Sequence, residues 1–384
     1  MSIKSTDERY IAHTYKRFDI AIVAGNGCLC YDDNGKEYID MTSGIGVSTF
    51  GYSDPVWAQA VANQAKILQH TSNLYYTAPC AELAEILCTR TGMDKVFFSN
   101  SGAEANECAV KVARKYAADR KGAEYCNIIT LKKSFHGRTL TTLAATGQDA
   151  FHEKFTPLTD GFLYAEANDI DGLEKLVADN KVAGMLIEVV QGEGGVNTLD
   201  EEFVKAAESI CRENDLVFMI DEVQTGNGRT GKLYGYMHYG VQPDVVTTAK
   251  GLAGGLPMGA TLMSEKVSGV LGYGDHGSTF GGNPVCAAAA ISVMNRLDDA
   301  FLADVTAKGE YIRERMTAAG YAVSGLGLMV GITTEKPVSE VLAACIEKGV
   351  LCLSAKEKLR LLPPLNIPQE QLEKALNIII EVRS

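Results

Sequence analysis

The 384-residue sequence predicts an α/β fold, with a mostly parallel central sheet covered by helices and a smaller α+β part beside it. Three observations carry this expectation. From about residue 80, helical and strand-like stretches alternate, as they do when each strand returns through a helix. The strand-like stretches are short and apolar, for example Val182 to Val190 and Leu216 to Val223, as expected of strands buried on both faces. The length suffices for a large core and two domains.

Residues 1–50 read as short strands and turns. Within them, Cys28 to Asp40 reads as a hairpin around Asn34-Gly35. A helix near 55–69 holds the only tryptophan, Trp57, which is expected to pack. Ala81 to Arg90 is helical, Lys95 to Ser99 a strand, Ala103 to Ala118 a helix and Asn127 to Leu131 a strand. After the strand at Val182 come a helix over Glu201 to Asn214, a strand from Leu216 and another over Val245 to Thr248. Helix-rich sequence runs from Asn283 to Leu297. Short strands near 328–333 and 349–353 and helices near 338–348 and 368–381 complete the chain. The expected division is an N-terminal segment at 1–50 that joins a small domain, a large domain at 51–280, and a C-terminal small domain at 281–384.

The chain carries 36 basic and 48 acidic residues, a net charge of -12, with the signs interspersed. That argues for a solvated surface and against a nucleic-acid partner, which needs a basic patch. Ten cysteines show no CxxC pair and no metal-ligand spacing, so reduced thiols and no metal site are expected. The first residues lack an apolar signal region, and no apolar run reaches the roughly 18–20 residues of a membrane span. A cytoplasmic location without membrane contact is expected.

Asp221 ends one apolar strand, and Lys250 follows another. In an open α/β sheet, ligands bind beyond the carboxyl ends of strands. A pyridoxal phosphate site needs such a pair: a lysine to carry the cofactor and an acid to hold its ring nitrogen protonated. Singly, the acids Asp221 and Glu222 are read equally well as turn caps, and Lys250 as a solvated surface lysine. Ser101-Gly102-Ala103 opens a helix after a strand, where free N–H groups receive a phosphate. The same stretch is also read as a plain helix cap with Glu104 in its first turn. The glycine-dense stretch Gln224 to Gly231 is expected to pack closely on a flat ligand.

Taken in order, these stretches resemble the class III pyridoxal phosphate aminotransferases. The resemblance rests on Ser99 to Asn106, Phe135-His136-Gly137-Arg138-Thr139, Gln191 to Val196, Asp221 to Gly231, Ala249-Lys250-Gly251 and Gly277 to Pro284. It covers nearly the whole chain and implies the pyridoxal-phosphate-dependent transferase fold type I. It implies pyridoxal 5'-phosphate on Lys250, with Asp221 at the ring nitrogen, Phe135 and Val223 on the two ring faces, and Gln224 at the ring hydroxyl. Ser101, Gly102 and Ala103 would hold the phosphate. Thr279 would reach the phosphate of a neighbouring subunit, so a homodimer with shared sites is implied. Arg360 resembles the arginine for the proximal substrate carboxylate, Glu193 the glutamate that pairs with it when no carboxylate is present, and Arg138 the anchor for a distal carboxylate. Without the resemblance, Glu193 is a turn residue and Arg360 a surface arginine before Pro363-Pro364. His136 receives no catalytic role.

The implied activity is transamination of a small amino-acid substrate, N2-acetyl-L-ornithine, with 2-oxoglutarate. The products are N-acetyl-L-glutamate 5-semialdehyde and L-glutamate, a step of arginine biosynthesis. Succinylornithine, ornithine, 4-aminobutyrate and acylated diaminopimelate are alternative donors. A rival from another class is a pyridoxal-phosphate-binding protein without turnover. Two departures touch none of these residues: Gly51-Tyr52-Ser53-Asp54-Pro55 lacks the family's histidines, and Val189 replaces a proline. Ser72 to Tyr76 is a plausible wall of the distal pocket.

Overall fold

The computed structural model describes residues 2–382. Its centre is a seven-stranded sheet: β1 (Lys95–Ser99), β2 (Asn127–Leu131), β3 (Phe162–Ala165), β4 (Val182–Ile187), β5 (Val217–Asp221), β6 (Val245–Thr248) and β7 (Gly259–Met263). The order is β1-β7-β6-β5-β4-β2-β3. The pairings from β6 through β5, β4 and β2 to β3 are parallel. β7 runs antiparallel to both β1 and β6. The expected mostly parallel sheet is therefore present, with one reversed strand that the sequence reading does not assign.

Both faces of the sheet are covered, and strand alternation divides the core accordingly. Val217 and Met219 of β5 pack in one cluster with Cys108, Ala109, Val112 and Ala113 of the helix Gly102–Lys121. Phe218 and Ile220 pack on the other side with Phe203, Val204 and Ala207 of the helix Glu201–Glu213. Every residue of β4 and β5 is buried, which explains their unbroken apolar runs.

Two four-stranded sheets flank this one. Ile22–Asn26, Leu29–Asp32 and Glu37–Asp40 form an antiparallel meander. The strand Val350–Leu351 joins its edge in parallel, pairing Val350 with Ile39 and Leu351 with Asp40. The other sheet is antiparallel and runs Val323–Leu326, Met329–Thr333, Lys358–Leu361, Leu353–Ala355. The helix Pro284–Met294 bridges the regions, and its Ala287, Ala290 and Val293 share a core with Leu83, Leu87 and the flanking Trp57.

Local details depart from the expectations. The hairpin at 28–40 closes with a three-residue loop: Gly35 N–H bonds Asp32 O at 3.0 Å, and Gly35 alone takes a positive φ, of 79°. A helix, Ile3–Tyr10, lies where strands and turns are expected. The helices Ile170–Asp179 and Asp299–Ala318 fall where no element is assigned. At the departure near residue 51, Asp54 caps the helix Pro55–Ile67 by accepting from Trp57 N–H at 2.8 Å, and it pairs with Arg296 at 2.9 Å. That stretch is structural here. Val189 is fully buried.

Candidate active site

β5 and β6 are parallel neighbours, with Asp221 opposite Thr247. Their carboxyl ends therefore open on one edge of the sheet. β1 ends on that edge too, because β7 starts there, with Gly259 opposite Ser99. A cavity of about 430 Å3 lies at this edge. It is lined by Ser101, Gly102, Ala103, Phe135, Arg138, Glu193, Asp221, Val223, Gln224 and Lys250, ten of the residues singled out in the sequence. Arg360 reaches the cavity through Glu193 and Gln224.

Lys250 begins a short 3-10 turn, Lys250–Ala253, with a φ of 45°. A non-glycine residue in the left-handed region is strained and persists only where its surroundings over-determine it. Three side chains do so: Asn227 Nδ2 donates to Ala249 O at 3.0 Å, Thr49 Oγ1 to Gly251 O at 2.8 Å and Trp57 Nε1 to Ala253 O at 2.9 Å. Trp57 thus packs as expected and also props the lysine turn. Burial pulls the Lys250 amine below the ordinary lysine range. Glu193 and Asp221 pull it up again, and Arg360 pushes it down.

Asp221 is 4% exposed and fully partnered. Its Oδ2 accepts from Asn106 Nδ2 at 2.8 Å and lies 2.8 Å from His136 Nδ1. Its Oδ1 accepts from Val223 N–H at 3.0 Å. Asn106 is fixed in turn, donating to His136 O at 2.8 Å and accepting from Thr247 Oγ1 at 2.7 Å. The imidazole is 0% exposed, and because a carboxylate only accepts, Nδ1 carries the proton that meets it. Burial opposes charge on His136, but the hydrogen bond and charge of Asp221, with Glu188 nearby, raise its pKa. Glu188 is itself buried and pushed up to about 7 by that burial. His136 works against the rise, and Asp221 adds to it. Glu222, paired with Asp221 in the sequence reading, faces away and accepts from Thr225 Oγ1, Gly235 N–H and Tyr236 N–H.

At the other end of the cavity, Ser101 caps the helix Gly102–Lys121. Its Oγ accepts from Glu104 N–H at 3.2 Å and donates to Glu104 Oε2 at 3.0 Å, while Asn100 N–H reaches the same carboxylate at 2.8 Å. The cap and the cavity wall are thus one stretch, and the helix points its N-terminus at the cavity. A Cβ on Gly102 would meet Val223 Cγ1 at 2.6 Å, so only glycine lets the two walls approach. The free helix start, the carboxylate of Asp221 and the amine of Lys250 fit the phosphate, ring nitrogen and aldehyde carbon of pyridoxal phosphate.

Arg360 is 3% exposed, and its Nη1 pairs with Glu193 Oε1 at 2.6 Å and with Gln224 Oε1 at 3.2 Å. Its buried Nε has no hydrogen-bond partner among the described residues. Burial raises the Glu193 pKa, but the charge and hydrogen bond of Arg360 outweigh it and hold the carboxyl below its usual range. Arg229 fixes the strand exit beyond Arg360, donating to Pro363 O at 2.5 Å and to Leu328 O at 3.2 Å.

The expectation for the glycine-dense stretch needs correction. The glycine-dense stretch packs on protein: beyond Gln224, a Cβ on Gly226 would meet Tyr234, and one on Gly228 would meet Leu365, Leu297 and Leu302. Thr279 is exposed and lies outside this chain's cavity, although Asn100 and Asn73 tether its neighbours Ser278 and Gly281. Leu74, Tyr75 and Tyr76 are likewise exposed and line no wall of this chain's cavity. Asn106 and Glu188 are site residues to which sequence reasoning assigns no role, and His136, which receives no catalytic role there, positions Asp221 here. Among the described residues all ten cysteines are free, no metal-binding cluster occurs, and no helix is long and apolar enough to cross a membrane.

The pattern of class-III aminotransferases matches residues 10–382. The chain is 49% identical to an acetylornithine aminotransferase of Haemophilus ducreyi, covering 100% of this chain and 98% of that one. It is 46% identical to another from Caldanaerobacter subterraneus, with 98% of each covered. Its structure resembles the ornithine aminotransferase of Toxoplasma gondii, with a TM-score of 0.95 at 30% identity over 99% of this chain and 93% of that one. It also resembles the N-acetylornithine aminotransferase of Stenotrophomonas maltophilia, with a TM-score of 0.85 at 33% identity over 98% and 97%. The chain thus has full-length relatives of known class, and it belongs to the class-III aminotransferases, enzymes that depend on pyridoxal phosphate.

Proposed function

We propose that the protein transfers the terminal amine of N2-acetyl-L-ornithine to 2-oxoglutarate, giving N-acetyl-L-glutamate 5-semialdehyde and L-glutamate for arginine biosynthesis. The carrying observation is the pairing of buried Arg360 with Glu193, which lines the same cavity as Lys250 and Asp221. A site that must accept one donor with a carboxylate on the reacting carbon and another without it needs an arginine whose charge can be covered in both cases. The full-length similarity to acetylornithine aminotransferases supports the donor.

Each residue then has a task. Ser101, Gly102 and Ala103 would seat the phosphate, Phe135 and Val223 would flank the ring, and Gln224 would meet the ring hydroxyl. Asp221, oriented by Asn106 and His136, keeps the ring nitrogen protonated. Bound pyridoxal phosphate supplies an electron sink that makes a C–H bond beside the donor amine labile. Lys250 Nζ takes that proton and later returns one, work suited to an amine with a lowered pKa. Arg138 holds the distal carboxylate. Arg360 holds the α-carboxylate of glutamate while Glu193 withdraws. With acetylornithine, Glu193 stays and covers Arg360.

The same reading includes a cytoplasmic homodimer. Exposed Leu74, Tyr75, Tyr76, Tyr273 and Phe280 support an apolar face for a second copy, beside Thr279. Pairing of Val350–Leu351 with Glu37–Asp40 supports a small domain built from 1–50 and 281–384 around the large one at 51–280. A panel of amine donors offered to the holoenzyme, followed by cofactor absorbance, tests the function. Conversion by N2-acetylornithine and glutamate is expected, and absence of conversion by N2-acetylornithine would refute the donor assignment.

A further inference from the structure

Arg138 lines the cavity, and a second cation stands across one aromatic ring from it. Arg138 is exposed, and its guanidinium sits 4.3 Å from the centroid of the Phe151 ring and 5.4 Å from that of Phe135. The two rings meet edge to face at 6.1 Å. A second cation approaches Phe151 from the C-terminal sheet: Lys356 Nζ lies 6.0 Å from its centroid. Lys356 and Glu357 form the two-residue turn between Leu353–Ala355 and Lys358–Leu361, the strand that carries Arg360. Lys356 has a φ of 53°, where glycine is at ease and lysine is strained. Phe151 thus joins a cation of the large sheet's loops to one on the arginine's own hairpin. Neither cation is in a salt bridge among the described residues.

We propose that Lys356 is a specificity-determining residue that, with Arg138 across the Phe151 ring, makes the cavity mouth doubly cationic and so selects N-acylated donors over free diamino acids. The proposal rests on the donor reading above. At its distal end an N2-acyl ornithine presents a carboxylate and a neutral amide. Free ornithine presents the same carboxylate with an ammonium beside it. The two cations attract the carboxylate in both cases, but only the free amino acid brings a like charge to Lys356. The flat amide also finds an aromatic surface in Phe151. Discrimination therefore comes from repulsion of the wrong donor as well as attraction of the right one.

The test is steady-state kinetics of the holoenzyme with N2-acetylornithine and with ornithine, at low and high salt. The variants are Lys356→Gly, which suits the turn, Lys356→Asn, which tolerates it, and Lys356→Arg, which keeps the charge. The ratio of kcat/KM for acetylornithine over ornithine is expected to fall about ten-fold in the Gly and Asn variants, chiefly through a lower KM for ornithine. It is expected to be retained in Lys356→Arg and to shrink with salt in the wild type. A wild type that prefers acetylornithine while the neutral variants keep its ratio within about two-fold would overturn the role of Lys356 and leave the donor reading intact. Equal loss of kcat on both donors would mark the turn as merely structural and also overturn it. A wild type that prefers ornithine would overturn the donor reading and this inference with it.

Discussion

Replacing Glu193 with alanine separates the two substrates. In the wild type, Glu193 Oε1 lies 2.6 Å from Arg360 Nη1, and Arg360 is 3% exposed with an Nε unpartnered among the described residues. Breaking a buried ion pair by removing one partner costs roughly 3–5 kcal/mol. The Glu193 side chain is 32% exposed, so water offsets part of this, and about 2 kcal/mol is the appropriate scale. Glutamate brings its own carboxylate to Arg360 and no longer has to displace Glu193, so its half-reaction is expected to keep or gain kcat/KM. N2-acetylornithine brings only hydrogens to that point and seals an uncovered guanidinium beneath it. Its kcat/KM is expected to fall about 30-fold, the factor that 2 kcal/mol represents. Rapid-mixing absorbance of each half-reaction in the purified variant reads both numbers. Equal losses on the two substrates would refute the gate. The pH dependence has a definite sign. The folded Glu193 pKa lies below its ordinary value of 4.5, so the pair is intact above that value and is lost as pH falls through the lowered one.

Four further outcomes follow from the same geometry. Lys250→Ala is expected to abolish the absorbance band of lysine-linked cofactor, and persistence of the band would move the anchor elsewhere. His136→Phe removes the Nδ1–H partner of Asp221. A fall in kcat of about ten-fold or more is expected with native circular dichroism, and unchanged kcat would deny the positioning role. Gly102→Ala forces its Cβ onto Val223, so cofactor affinity is expected to drop and to recover in part with Val223→Ala; a single variant of wild-type affinity would contradict the contact. Glu188, raised from 4.5 to about 7 by burial, keeps its proton in the folded state across a window in which the unfolded carboxyl has lost it. Its contribution is thus complete below 4.5 and lost as pH rises through about 7. Tm measured from pH 5 to pH 8 is expected to fall relative to that of Glu188→Gln, and parallel curves would be evidence against the shift.

Strands whose apolar runs are unbroken, such as β4 and β5, were legible because burial on both faces leaves a plain signature. β7 was harder to read: Gly259-Ala260-Thr261-Leu262-Met263 contains two small residues and no turn pair marks its reversal. The helix Asp299–Ala318 carried a readable signal, with Leu302, Val305, Gly309, Ile312 and Met316 buried at alternating spacings of three and four, and Asp298 as its cap. Its glycine weakens the periodicity. In the site, Lys250 and Asp221 were legible from their places at strand ends. Asn106 could have been found as an amide among the alanines of a buried helix face, Ala105, Ala109 and Ala113. His136 stood in a quoted motif without a role and Glu188 shows no such signal, because what both do arises from Asp221, a residue distant in sequence. The glycines after Gln224 misled for a physical reason: close approach demands glycine whether the neighbour is a ligand or a leucine.

The parallel pairing of Val350 and Leu351 with Ile39 and Asp40 has a consequence for how the chain is made. The early hairpin leaves a ribosome with one flank bare, and the segment that covers it is translated more than three hundred residues later. At about 5–20 residues per second, that flank stays open for about 15–60 s. Throughout this interval, an unclosed strand edge is available to other nascent chains on the same message. Chaperone demand during synthesis should therefore centre on the first forty residues and end only when the closing strand emerges.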